Sequence, residues 1–103
     1  MHKLIVLYRD PPDEAAFRQH YEAVHLPLVR RVPGVIDARA SFAPGDGQGG
    51  RSRYACIGET LFDSEASMRN SLQTPEGKAL IDDAANYAGT RFEMIDFPVA
   101  DDA

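Results

Sequence analysis

The sequence is poor in cysteine and in basic residues, and both shortages limit what the protein can be. Cys56 is its only cysteine, so no disulfide can form within the chain and a reducing compartment is expected. Eleven Lys and Arg stand against 16 Asp and Glu, which gives a net charge of -5. The arginines form isolated pairs rather than a basic stripe, so we expect no nucleic-acid partner.

Long hydrophobic runs are also missing. No segment approaches the roughly 20 apolar residues of a membrane-spanning helix, and the apolar run at 3–8 is too short and too strand-like for a signal peptide. We therefore expect no membrane partner and a cytoplasmic protein. The hydrophobic content of 44% and the charged content of 26% are typical of a globular chain. One domain over residues 1–103 is predicted.

Four segments have the composition of β-strands. They lie at 4–8, 35–42, 54–62 and 91–97, and the second alternates apolar and polar residues. A glycine-rich stretch at 44–50 separates the second strand from the third. It lacks the Lys-Ser/Thr ending of a phosphate-binding loop, so we interpret it as a hairpin connection.

Two helical regions complete the pattern. The first begins after Asp13, the expected N-cap, and ends at Pro33-Gly34. The second starts at Ser64 and continues in a helix that Pro75 opens. Its predicted inward residues are Leu80, Ile81, Ala84 and Tyr87. The order β-α-β-β-α-β predicts a ferredoxin-like α+β fold with a four-stranded antiparallel sheet.

The predicted sheet is apolar on both faces. In the first strand Leu4, Val6 and Tyr8 alternate with residues that are just as apolar, and the third strand repeats this pattern. A sheet of this kind needs a cover on both sides, and the helices suffice for only one. We expect a second copy of the chain to supply the other cover, as a homodimer through the sheet face.

The first helical region contains the one segment that suggests chemistry. On a helical wheel, one apolar stripe centres on Phe17, Tyr21, Val24 and Leu28. His25 then lies on one shoulder of the stripe, where an imidazole can be partly desolvated and still reach a ligand. With an ordinary pKa of about 6.5, histidine suits general acid–base chemistry. Tyr21, one turn earlier, would orient a ligand; a boundary histidine bonded to backbone or water is the alternative.

Other candidate groups give weaker signals. His20 lies on the opposite shoulder and is expected to face solvent or to pair with an acid, and His2 begins a strand. The histidine spacing is not that of a metal site, so no metal is expected. The pair Asp82-Asp83 is interpreted as solvated surface.

The pattern Tyr21-x-x-x-His25-x-Pro27-Leu28 followed by Pro33-Gly34 resembles the EthD family. The resemblance extends from the opening strand to the segment 74–77 and covers nearly the whole chain. It implies a dimeric α+β barrel that takes part in oxidative degradation of ethers and xenobiotics. Related barrels include cofactor-free monooxygenases, isomerases and decarboxylases. By motif match, the candidate active residue is His25, with Tyr21 as its neighbour.

Two functions remain open at this stage. In the first, the protein is an oxidoreductase-like, isomerase or lyase enzyme without a bound cofactor, and His25 moves a proton on an apolar or aromatic metabolite. In the second, it is a non-catalytic accessory protein of a degradation pathway that binds a hydrophobic ligand. A third possibility is a purely structural dimer with a collapsed core. The absence of a cavity beside His25 would decide for it and against both functions.

Overall fold

The computed structural model describes residues 1–83, 86 and 90–100, so the predicted inward positions Ala84 and Tyr87 lie outside the described residues. Within them, helices pack on one face of a single sheet. The elements are β1 (His2–Arg9), α1 (Glu14–His20), a π-helical turn (Tyr21–His25), α2 (Leu26–Arg31), β2 (Asp37–Phe42), β3 (Cys56–Phe62), α3 (Glu65–Leu72), α4 (Pro75–Asp83) and β4 (Arg91–Pro98).

The sheet is antiparallel with strand order β2-β3-β1-β4. This is the ferredoxin-like α+β topology that the order of elements predicts, and the prediction is confirmed. Strand β1 lies inside the sheet, between β3 and β4, and its apolar residues are distributed over both faces. Tyr8 of β1 pairs with Cys56 of β3 and with Phe92 of β4, so these three side chains share the face toward the helices.

The core lies between this inner face and the helices, in two clusters. One joins Tyr8 and Cys56 to Phe17 and Tyr21 of the first helical region, and the other packs Leu4, Phe62 and Met68 together. Asp13 caps α1 as the sequence predicts, since its Oδ1 accepts from the Ala16 N–H at 3.0 Å. The cap and the clusters together fix the first helical region over the sheet.

The π-helical turn explains why the sequence prediction of the buried face of this helical region was wrong. At its end the Leu26 N–H donates to the Tyr21 carbonyl, five residues back. Pro27 has no N–H, and in an α-helix its ring would collide with the carbonyl four residues earlier. The wider π-helical turn avoids that collision and contains one residue more than an α-helical turn.

The extra residue shifts the inward face by one position. Val24, predicted at the centre of the apolar stripe, is 41% exposed, whereas His25 is 6% exposed. The buried positions of the region fall at Phe17, Tyr21, His25, Val29 and Val32. The turn therefore moves His25 from the shoulder of the helix onto its inner face.

The other face of the sheet carries no helix among the described residues. Cross-strand pairs place Ile5 opposite Ile95 and Leu7 opposite Ile57 on this outer face, and Ile95 is 51% exposed. Ion pairs such as Lys3–Glu59, at 3.6 Å, lie beside them. The outer face thus has an apolar centre of Ile5, Leu7, Ile57 and Ile95 bordered by charged side chains, so the prediction of a sheet apolar on both faces holds only in part. None of the described helices is long and apolar enough to cross a membrane.

Thiol labelling tests the π-helical turn. We expect Val24→Cys to react with a maleimide on the order of 10² times faster than Val29→Cys, because the second thiol reacts only when the structure opens. The native Cys56 is fully buried and supplies a low background. Mass spectrometry after timed quenching gives both rates. A Val24→Cys thiol that is protected from the maleimide would indicate a regular α-helix and would contradict the shift of the buried face.

Candidate functional site

A cavity of about 120 Å³ lies between the inner face of the sheet and the helices. Its wall is mostly apolar. The lining residues are Leu4, Val6, Tyr8, Tyr21, His25, Val29, Gly58, Thr60, Leu72, Leu80, Ile81, Phe92 and Met94. Leu80 thus faces inward as predicted, and Ile81, 60% exposed, lies at the rim. An apolar wall with few polar groups is typical of a small-molecule site.

His25 brings an imidazole to this cavity. Its Nδ1 lies 2.9 Å from Oδ2 of Asp83, a contact in which the imidazole donates to the carboxylate. The Nδ1–H tautomer follows, and Nε2 is then the basic nitrogen. Burial lowers the pKa of His25 below 6.5, and the hydrogen bond and charge of Asp83 only partly offset it. His25 is therefore neutral at pH 7.

Asp83, at the end of α4, is buried, so its interpretation as solvated surface was wrong; its neighbour Asp82 is exposed. Three of the described side chains donate to its carboxylate. They are His25, His20 at 3.0 Å from Oδ1, and Asn86 at 2.8 Å from Oδ1. Burial alone would raise the pKa of Asp83, but these hydrogen bonds outweigh it and the pKa is lowered. The carboxylate is ionised.

Tyr21 lies beside His25, with ring centroids 5.0 Å apart. Its hydroxyl is hydrogen-bonded to that of Tyr8, and burial raises the pKa of both phenols far above 10. Gly58 makes this possible, because a methyl group there would overlap the Tyr21 hydroxyl. Two protonated phenols therefore share the cavity with the neutral imidazole.

The remaining candidates lie apart from the cavity. His20 pairs with an acid as the sequence suggested, through Asp83. His2 pairs with Asp96 at 2.7 Å near the end of the sheet. Burial raises the pKa of Cys56 to about 12, so its thiol is a poor nucleophile. A larger depression of about 650 Å³ opens on the outer face of the sheet, and its lining includes the ion-paired Lys3 and Glu59.

Among the described residues, no group of three His, Cys, Asp or Glu side chains is arranged to hold a metal ion. One ring nitrogen of each histidine, Nε2 of His20 and Nδ1 of His25, faces the Asp83 carboxylate. Their geometry is that of donors converging on one acceptor.

Sequence reasoning missed Asp83 and Tyr8. Asp83 is 58 residues from His25 along the chain, and no local spacing joins them. The available signal was weak: an acid pair at the end of an amphipathic helix, of which one member is on the inward side. Tyr8 was visible only as one apolar residue in an apolar strand.

The shape of the chain is shared with solved structures. SnoaB, described as a cofactor-independent oxygenase from Streptomyces nogalater, superposes with a TM-score of 0.72 over 97% of this chain and 93% of its own. The two sequences are 12% identical. At that level the likeness shows the fold alone.

Two relatives are much more similar in sequence. An 11.0 kDa protein from Rhodococcus erythropolis, described as uncharacterised and encoded between thcB and thcC, is 34% identical, with 92% of this chain and 91% of the relative covered. The crystal structure of an EthD family protein from Bacillus halodurans is also 34% identical. It superposes with a TM-score of 0.78 over 91% of this chain and 95% of that one. The EthD domain model matches residues 9–91, and the chain therefore belongs to the EthD family.

Proposed function

We propose that the protein is a small-molecule enzyme in which His25 moves a proton to or from an apolar or aromatic metabolite, without a bound cofactor. One observation carries the proposal: a neutral imidazole lines an apolar cavity while its Nδ1 donates to a buried carboxylate. A base of this kind needs its lone pair at pH 7, and the lowered pKa of His25 provides it.

The proton step involves three groups. The substrate's acidic C–H or O–H bond breaks, its proton goes to Nε2 of His25, and the electron pair stays on the substrate. The Asp83 carboxylate stabilises the imidazolium that results. One hydroxyl of the protonated Tyr21–Tyr8 pair supplies a hydrogen bond for charge that develops on a substrate oxygen. Protonation of the same anion at another atom completes an isomerisation.

The wall of the cavity favours an uncharged substrate. No Lys or Arg is among its described lining residues, and the sequence from 84 to 90 contains no charged residue. A carboxylate or phosphate entering the cavity would lose its hydration without gaining a cation, and would approach the negative charge of Asp83. Neutral ketones, phenols and lactones avoid both costs.

Oxygenation is compatible with the same first step. A deprotonated aromatic substrate is electron-rich and reacts directly with O2, so neither flavin nor metal is required. SnoaB, which shares the fold, is described as a cofactor-independent oxygenase. The redox and isomerase versions of the proposal thus differ only after His25 has taken the proton.

Hydrogen–deuterium exchange tests the proton step. We expect the wild type to exchange the acidic C–H of acetophenone or a related neutral ketone in D2O, and His25→Gln to lose about 10²–10⁴-fold in rate. His2→Gln is the control, because His2 pairs with Asp96 outside the cavity. Because the pKa of His25 is lowered, the rate stays high at pH 6.5 and falls only in more acidic solution.

The measurement is proton NMR of the probe, with binding followed in parallel. Equal rates in wild type and His25→Gln would contradict the proposal. Saturable binding by both proteins with no exchange of any ketone, phenol or lactone would also overturn it, and would identify the protein as a binder of hydrophobic ligands.

We also propose that the protein is a homodimer through the outer face of the sheet. Exposed apolar side chains on β4, such as Ile95 and Phe97, adjoin Ile5 and Leu7 of β1 on this face. An exposed apolar centre with a border of charged side chains is typical of a surface that a partner covers. A second copy related by twofold symmetry presents the same surface in return.

Native mass spectrometry at micromolar concentration tests the dimer. We expect a dimer for the wild type and a monomer for Ile95→Asp, because the variant buries an unpaired carboxylate at the interface. Val24→Asp is the matched control, since Val24 is exposed on the helical side of the molecule and does not line the cavity. A monomeric wild type, or equal dissociation of both variants, would contradict the proposal.

A further inference from the structure

We infer that Asp83 is a positioning residue that fixes the tautomer of His25, and that His20 and Asn86 fix Asp83 in turn. The inference deepens the proposed function, since it says what holds the proposed base. It rests on four short contacts around a single carboxylate, which joins α4 to the first helical region.

The geometry leaves His25 one tautomer. Its Nδ1 lies 2.9 Å from Oδ2 of Asp83, and an ionised carboxylate can only accept a hydrogen bond. The proton of the neutral imidazole therefore resides on Nδ1. A histidine whose second nitrogen is to act as a base needs this arrangement, and a partner on the first nitrogen is the usual way to obtain it.

The other two donors keep the carboxylate available. His20 Nε2 lies 3.0 Å and 3.1 Å from its two oxygens, and Asn86 Nδ2 lies 2.8 Å from Oδ1. These contacts hold Asp83 in one orientation and favour its ionised form. Without them, burial beside an apolar cavity would favour the neutral acid.

His20 differs from His25 in its surroundings. Its side chain is partly exposed, whereas those of His25 and Asp83 are nearly fully buried. His20 also borders a second hollow beside α1, together with Asp13 and Asn86. Asp83 therefore lies between His25, which lines the cavity, and His20, which is partly exposed to solvent.

Two charged or titratable groups of the described residues shift the pKa of His25. Asp83 on α4 raises its pKa and His20 on α1 lowers it, while burial has the largest effect. The phenols of Tyr21 and, on β1, Tyr8 stay protonated. Removal of the Asp83 charge should therefore act on both the tautomer and the basicity of His25.

Nitrogen NMR of the histidine rings provides the test. In the wild type we expect His25 to carry its proton on Nδ1. In Asp83→Asn the Nε2–H tautomer should become the major form and the pKa of His25 should fall further, because the imidazolium loses its counter-charge. Asp82→Asn is the matched control: it removes the adjacent exposed carboxylate and should change neither property. In His20→Gln, which retains a donor to Asp83, the Nδ1–H form should persist.

Ketone exchange supplies the catalytic readout. In a catalytic triad, replacing the aspartate by asparagine lowers the rate by about 10⁴-fold, so Asp83→Asn should lower the rate by up to about that factor. The wild-type spectrum alone decides the tautomer if Asp83→Asn fails to fold, and an Nε2–H form there would overturn the inference. An unchanged tautomer in folded Asp83→Asn would overturn it as well. Absence of exchange in the wild type would contradict the proposed function while leaving the tautomer test intact.

Discussion

The hydrogen bond between His25 and Asp83 is the interaction on which the rest of the site depends. It connects the first helical region to α4 across 58 residues of chain, and it is buried at both ends. Removing His25 would take a hydrogen-bond donor from a buried carboxylate, which is costly, so the bond constrains the elements that carry the two residues. Both of the elements that this bond joins contribute residues to the wall of the cavity.

The π-helical turn places His25 at the point where this bond can form. In a regular α-helix, Val24 would face the sheet and the imidazole would lie beside it. The extra residue that Pro27 requires rotates the following residues by one position, so that His25 and Val29 become the buried ones. Short π-helical segments are frequent at functional sites, and here the reason is geometric: a local steric conflict determines which side chain reaches the cavity.

Much of the fold could be predicted from the sequence, because the patterns involved are local. Strand composition, the Asp13 cap and the Pro33-Gly34 stop each act over a few residues, and together they gave the correct order of elements. The two-faced sheet was also visible, since apolar residues in β1 follow one another without interruption. The buried face of the first helical region could not be predicted, because a helical wheel assumes a constant number of residues per turn and Pro27 changes that number.

The candidate site was only half predictable for a related reason. His25 and Tyr21 stand one turn apart, and their spacing marks them as neighbours. Asp83 looks like one of two surface acids in the sequence, and only the packing of α4 distinguishes it from Asp82. Burial then determines the chemistry of these groups: it keeps the imidazole neutral and the phenols protonated, and three donors keep the carboxylate charged.

The central claim is that the cavity beside His25 takes a small uncharged molecule. Titration of isotope-labelled protein with phenol and with benzoate, two rings of similar size, tests it most directly. The account predicts saturable NMR shifts for His25, Val6 and Thr60 with phenol, and none there with benzoate at neutral pH. Saturable shifts confined to the outer face around Ile95, or equal binding of the two probes at His25, would contradict it.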